Sequence, residues 1–213
     1  MVMDLAASLD TGLAALGLDL SVAQKTQLLD YVGLLQKWNR TYNLTAIRDP
    51  GEMLTHHLLD SLAVLPVLQK SALAIRRLTD VGSGAGLPGL VLAIVRPDWQ
   101  LRSIDAVDKK AAFQRQACIE LGLKNVEVVS GRVENLAGES AGAVISRAFA
   151  ELADFVRLAG HLIAPGGVLL AMKGVMPNEE ISRLPAGWEV GLVESMRVPG
   201  LDAQRHLIVL EKV

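Results

Sequence analysis

The chain has one cysteine, Cys118, in 213 residues, which excludes an intrachain disulfide and a cysteine-built structural zinc site. Aromatic residues make up 4%, so any stacking on nucleic-acid bases must draw on a few side chains. There is no basic excess either: 21 Lys and Arg face 23 Asp and Glu, for a net charge of −2. That is not the electrostatic footprint of a generic nucleic-acid binder, and any RNA contact must come from local clustering. The apolar run Leu87 to Val95 is far short of the roughly 20 residues that span a bilayer. The start carries Asp4 and no basic leader segment. Repeats and low-complexity tracts are absent, and a soluble cytoplasmic protein is expected. The composition, 51% hydrophobic and 21% charged, suits one α/β domain with an extension and a sizeable buried core. Cys118 falls mid-helix, where core packing is its expected role.

The most informative segment is Asp80-Val81-Gly82-Ser83-Gly84-Ala85-Gly86-Leu87-Pro88-Gly89. It puts a carboxylate and four glycines where an apolar strand, 77–81, turns into an apolar helix, 87–95, with Pro88 in the first turn. Glycines let the backbone approach a ligand closely, and the helix start behind them offers N–H groups to a negative group.

Residues 1–72 read as a helical extension and 73–213 as a Rossmann-like domain. Ser21 and Gln24 form a capping box before Leu28, Tyr31, Val32, Leu35 and Trp38, which recur at helical spacing. Asp49-Pro50 starts another helix, with Leu54, Leu58, Leu62 and Leu65 on one face. Strands are expected near 77–81, 101–105, 126–130, 142–146, 167–173, 188–197 and 205–211. Helices are expected near 87–95, 108–121, 150–163 and 178–184. Alternation of this kind argues for a parallel sheet covered on both faces. The link 199–204 is too short for a parallel crossover, so the last two strands should be antiparallel. The fold class is thus α/β, a seven-stranded, mostly parallel sheet with an antiparallel last strand, as in Rossmann-like class I S-adenosylmethionine-dependent methyltransferases.

The loop also satisfies the dinucleotide pattern G-x-G-x-x-G from Gly84, with Asp105 at a suitable distance for a ribose-binding acid. The glycines begin at Gly82, however, and Asp80 would repel a pyrophosphate and attract the ammonium of a methionine moiety. S-adenosylmethionine, with two cationic centres and no phosphates, suits such a loop better. Asp105 ends the second strand, where it can accept both ribose hydroxyls or cap the helix starting near Asp108. Gly131-Arg132-Val133-Glu134 follows the third strand at the height of an adenine ring, with Val133 placed to cover it. Alternatively it is an ordinary loop. Arg147, in Ser146-Arg147-Ala148-Phe149, ends the fourth strand at the topological switch point.

With Trp38-Asn39-Arg40-Thr41-Tyr42-Asn43-Leu44-Thr45, His57-Leu58-Leu59-Asp60-Ser61-Leu62, the Asp80–Gly89 loop, Ile145-Ser146-Arg147-Ala148, Pro165-Gly166-Gly167, Met172-Lys173-Gly174 and Arg205-His206 in view, the chain closely resembles the RsmG (GidB) family of bacterial 16S rRNA guanine-N7 methyltransferases. The resemblance covers nearly the whole chain. It implies S-adenosyl-L-methionine as cofactor, held by Gly82, Leu87, Val133, Glu134 and Arg147, and a guanine in the 530 loop of 16S rRNA as methyl acceptor. Ser83, Gly84 and Asp105 complete the expected cofactor set. The chain departs from the family at Ala85, where a proline is common, and at Val107-Asp108 before Lys109-Lys110.

Guanine N7 carries a lone pair and no proton, so no general base is expected and catalysis should come from positioning. Trp38, Tyr42 and Arg147 are the stacking candidates, although Trp38 also fits its helix's apolar stripe. Phosphate contacts are sought among Lys37, Arg40, Arg48, Lys109, Lys110, Arg132, Lys173, Arg197 and Arg205. Of these, Lys173 and Arg205 should form a basic patch beside the cofactor mouth, with Arg132 beside the adenine loop. His56 and His57 are adjacent and lack a third ligand, so no metal is expected. The expected partner is 16S rRNA, within a small-subunit ribosomal particle, and the expected oligomeric state is monomer. Three other readings remain: a small-molecule methyltransferase with a helical lid, a nicotinamide oxidoreductase, and a non-catalytic RNA-binding assembly protein on the same fold.

Overall fold

The computed structural model describes residues 4–71, 73–138, 141–147 and 151–213. Its centre is a seven-stranded sheet of order β3-β2-β1-β4-β5-β7-β6, formed by β1 (Arg77–Val81), β2 (Gln100–Asp105), β3 (Val126–Ser130), β4 (Ala141–Arg147), β5 (Ile163–Lys173), β6 (Trp188–Ser195) and β7 (His206–Lys212). Of the inner strands, β4, β5 and β7 are largely apolar, as burial on both faces requires, while β1 and β2 also bury Thr79, Asp80, Ser103 and Asp105. Parallel pairing runs from β3 through β5. The short link 199–204 does make β6 and β7 antiparallel, but β7 is also the antiparallel neighbour of β5. It therefore lies between β5 and β6 and is the one reversed strand among the seven.

Before the sheet come α1 (Leu5–Leu16), α2 (Val22–Tyr42), α3 (Pro50–Met53), a π-helical turn at Leu54–Leu59, α4 (Asp60–Leu62) and α5 (Val64–Lys70). The Ser21–Gln24 capping box is present, and Asp49 caps Pro50 by accepting the Glu52 N–H. The single helix expected from Asp49 is interrupted by the π turn, a rare local widening that often marks a functional site. Leu54, Leu58, Leu62 and Leu65 are nonetheless all buried. Between strands lie α6 (Gly89–Val95), α7 (Asp108–Glu120), α8 (Leu152–Ala159) and α9 (Asn178–Ser182).

The extension and the sheet share one hydrophobic cluster, in which Leu28, Leu35 and Leu58 join Leu90, Phe113 and Ile145. Polar side chains of α2 reinforce the contact. Gln24 Nε2 donates to the Ile94 and Val95 carbonyls, and Gln27 Nε2 to Leu121 O. Trp38 packs edge-on against Phe113 at 5.7 Å between ring centroids, so it serves the core, while its neighbour Tyr42 stays 41% exposed. Cys118 is buried on α7, and burial pushes its thiol up to about 11. It is an inert packing residue at neutral pH.

Candidate functional site

Strand order reverses between β1 and β4, and in open α/β sheets ligands sit outside the carboxyl ends of strands at such a point. The loop after β1 is built for close approach. Gly84 and Gly86 hold φ of 61° and 85°, which side chains rarely adopt. A Cβ at Gly84 would enter open space, whereas one at Gly89 would stand 2.7 Å from Asp80 Oδ2. The loop is braced from below. Gln114 Nε2 donates to Ser83 Oγ and Gly84 O, both at 2.8 Å, and the buried Tyr31 hydroxyl donates to Ala85 O at 2.7 Å.

The bonds within the loop show how several of the expected cofactor residues are held. Ser83 is buried, and its hydroxyl bonds Ile104 O and Gln114, so its side chain supports the loop from within. Leu87 is buried in the main core, and its N–H donates to Ser83 O. The Asp80 carboxylate is turned away from solvent. It is fully buried, and its Oδ2 accepts the Gly89 N–H at 2.7 Å, tying the start of α6 under the loop. Gly82 is exposed at the loop's mouth.

A cavity of about 300 Å³ opens beside Gly82, lined among others by Ile104, Asp105, Val133, Glu134 and Leu158. Asp105 accepts the Gly84 N–H at 2.7 Å with Oδ2 and the Val107 N–H at 2.8 Å with Oδ1. It shapes the loop and the turn leading into α7, whose N-cap Val107 has no side-chain cap bond, so Asp105 does not cap that helix; a carboxylate's further lone pairs remain for hydroxyls. Arg132 is mostly exposed and pairs with Glu134 at 3.6 Å on this cavity's rim, apart from Lys173 and Arg205.

Arg147 lies in a second cavity, of about 390 Å³, with Ile47, His57, Asp60, Met172, Lys173 and Arg205 among its lining. Asp60, 2% exposed, joins two arginines that lie far apart in the sequence. Its Oδ2 accepts from Arg147 at 3.1 Å and its Oδ1 from Arg205 Nε at 2.7 Å. Arg147 also donates to His56 O at 2.9 Å. Lys173 pairs with Glu180 at 2.7 Å. The expected open basic patch of Lys173 and Arg205 is therefore a set of half-buried ion pairs, because cations at strand ends beside an apolar core recruit carboxylates. Asn39, in the first block of the resemblance, holds the Thr45 N–H and donates to Ile47 O, which delivers Ile47 and Thr45 to this cavity's side. Thr45 Oγ1 lies 2.9 Å from His57 Nε2. Burial, aided by the nearby Arg147 charge, lowers His57 to about 4, so it is a neutral imidazole at working pH.

Asp60, Gln114, Tyr31 and Leu158 were given no site role by sequence reasoning. Asp60 alone carried a signal, as an acid inside the apolar His57–Leu62 block that needs a cation if buried. Ala148 and Phe149 fall outside the described residues. Among the described residues, no group of three or more His, Cys, Asp or Glu is placed to hold a metal ion, and no helix is long and apolar enough to cross a membrane.

The strand order, the single reversed β7 and the glycine loop facing an acid at the end of β2 define the Rossmann-like class I methyltransferase fold. Solved structures agree at the level of fold. An Aquifex aeolicus SAM-dependent methyltransferase superposes with a TM-score of 0.55 at 21% identity, covering 76% of this chain and 93% of that one. A point mutant of MtNAS, in complex with S-adenosylmethionine, does so at 0.59 and 15%, covering 89% and 76%. The family model for rRNA small subunit methyltransferase G matches residues 24–208, and the chain belongs to that family. Ribosomal RNA small subunit methyltransferase G of Azoarcus sp. (strain BH72) is 56% identical over 208 residues, 97% of this chain and 96% of its own length. Its counterpart in Neisseria meningitidis strain FAM18 is 54% identical over 204 residues, 96% and 97%.

Proposed function

We propose that the protein transfers a methyl group from S-adenosylmethionine to N7 of a guanine in the 530 loop of 16S rRNA, acting as a cytoplasmic monomer on a small-subunit ribosomal particle. The observation that carries this reading is the pair of cavities on either side of the β1–β4 switch point, in a chain of this family. One has the lining a nucleoside needs, and the other combines the apolar Ile47 and Met172 with the ion-paired Arg147, Lys173 and Arg205. Bound S-adenosylmethionine supplies a methyl carbon on a positively charged sulfur. Its nucleoside end suits the first cavity, where Ile104, Val133 and Leu158 offer apolar surface to a purine and Asp105 offers acceptor sites to ribose hydroxyls. Gly82 and Gly84 permit close approach of the loop, and Glu134 lies at the rim. Ser83 and Leu87 contribute by holding the loop's shape, and Arg147 lines the second cavity at the end of β4.

The second cavity is our acceptor site. N7 needs no deprotonation, so the protein's task is to fix its lone pair in line with the methyl carbon and exclude water. Single-turnover rates with cofactor saturating should accordingly be flat from about pH 6 to 9. Neutral His57, which titrates near 4, leaves that window undisturbed. A rise with an apparent pKa near neutrality would point to an acceptor that must lose a proton.

RNA binding should weaken modestly with salt, with a slope set by a few exposed cations such as Arg132, whose side chain is 74% exposed. Because Arg205 is already paired with Asp60, Arg205→Ala should leave that slope within error. A slope reduced by about one contact would make Arg205 a phosphate ligand. Transfer of labelled methyl to 16S rRNA, with free nucleosides and small metabolites as controls, tests the reading as a whole. Transfer to metabolites alone would favour a small-molecule enzyme.

A further inference from the structure

Two guanidinium groups sharing one buried carboxylate is an uncommon arrangement, and here it borders the proposed acceptor cavity. Asp60 is 2% exposed, on the turn where the π helix passes into α4, and each of its oxygens is occupied by a different arginine. Arg147 comes from the end of β4, and Arg205 directly precedes β7. Their side chains are 23% and 22% exposed, so both guanidiniums are mostly fixed yet reach the cavity. Arg147 is anchored a second time through His56 O, and Arg205 through Gln204 O at 2.9 Å. Planar guanidinium donors held this firmly lose little entropy on making a further bond.

We propose that Asp60 is a positioning residue: it holds Arg147 and Arg205 as a rigid pair of donors that reads O6 of the acceptor guanine. The proposal rests on the reading of the second cavity as the guanine site. On the edge of guanine that presents N7, the other acceptor is O6. N7 must keep its lone pair free for the methyl carbon, so donors that orient the base from this edge must bond O6. Adenine offers an amino group there and would meet two donors with another donor. Asp60 also bears on charge. N7 methylation leaves a positive charge on the base, and the carboxylate reduces the charge of the arginine cluster from two to one. The apolar contributions of Ile47 and Met172 to the same cavity suit the faces of a base better than a phosphate group.

The test uses small-subunit particles reconstituted with semi-synthetic 16S rRNA, in which the target guanine is kept, replaced by 2-aminopurine, which has N7 but no O6, or replaced by 7-deazaguanine, which has O6 but no N7. The native protein should prefer guanine over 2-aminopurine by about 5- to 150-fold in kcat/KM, the discrimination that a good bidentate contact provides. In Asp60→Asn and in Arg205→Gln that ratio should fall to near unity, with affinity for S-adenosylhomocysteine retained in Arg205→Gln, which leaves the Asp60–Arg147 bond in place. Equal native rates on guanine and 2-aminopurine would overturn the proposal and assign the arginines to a phosphate. So would variants that lose rate equally on both RNAs, the mark of a merely structural carboxylate. If Asp60→Asn does not fold, Arg205→Gln, at a partly exposed position, decides alone. Methylation of the 7-deazaguanine particle at the target would instead refute the N7 reading itself.

Discussion

Asp80→Asn is expected to be more stable than the native chain at pH 8 and to lose that advantage by about pH 5. Asp80 is fully buried beneath the glycine loop, with one oxygen bonded to the Gly89 N–H and the other without a partner among the described residues. Burial raises its carboxyl to about 7, against smaller downward contributions from the Gly89 bond and the Arg147 charge. The folded chain therefore binds this proton more tightly than the unfolded chain. Stability from this group is full below the unfolded carboxyl pKa, declines as pH rises from about 4 to about 7, and stays low above. A shift of about three units corresponds to a loss on the order of 4 kcal/mol. Asparagine keeps an oxygen for Gly89 and carries no charge. Its amide N–H₂ takes the unpartnered position at a cost of about 1–3 kcal/mol, leaving a net gain at high pH of about 1–3 kcal/mol. Urea unfolding at pH 5 and pH 8 measures the difference, and other carboxylates cancel in the comparison. A variant destabilised equally at both values would mean that Asp80 is ionised throughout and paired.

Asp105→Ala is expected to weaken S-adenosylhomocysteine binding by about 1.5–3 kcal/mol, the worth of hydrogen bonds to a charged acceptor. It should also lower stability. The carboxylate holds the Gly84 and Val107 N–H groups at 2.7 and 2.8 Å, and its removal frees the loop at the point where it must approach the ligand. Calorimetric titration and thermal unfolding separate the two effects. Asp105→Asn, which preserves an acceptor, should recover part of the stability and less of the affinity. If the affinity of Asp105→Ala is unchanged while its stability falls, Asp105 shapes the loop without touching the ligand.

Much of the architecture was legible because it is written in local patterns. Every expected strand exists, the Ser21 and Asp49 caps are in place, and the short link before β7 marks the chain reversal. Edges were less readable. β5 begins at Ile163, four residues before the expected start, because the pairing with β4 continues through an irregularity between Ala141 and Ala143. The π turn has no sequence signature, since its residues also satisfy an ordinary helical spacing. In the site, the glycine loop and the acid after β2 announced themselves, yet which way a side chain points did not. Asp80 and Ser83 turn inward because the loop's own backbone groups need partners. The arginine cluster was hidden by distance along the chain: Asp60 meets Arg147 and Arg205 across separations of 87 and 145 residues. No periodicity reports such a contact.

The central claim, methyl transfer to guanine N7 in 16S rRNA, is tested most directly on small-subunit particles from cells lacking this protein. The particles are incubated with the purified protein and S-adenosylmethionine, and the rRNA is then reduced with borohydride and treated with aniline, which cleaves the chain at 7-methylguanosine. The account predicts one new protein-dependent cleavage, at a guanine in the 530 loop, that is absent without cofactor. Methyl incorporation without a new cleavage site in that loop, or no incorporation at all, would contradict it.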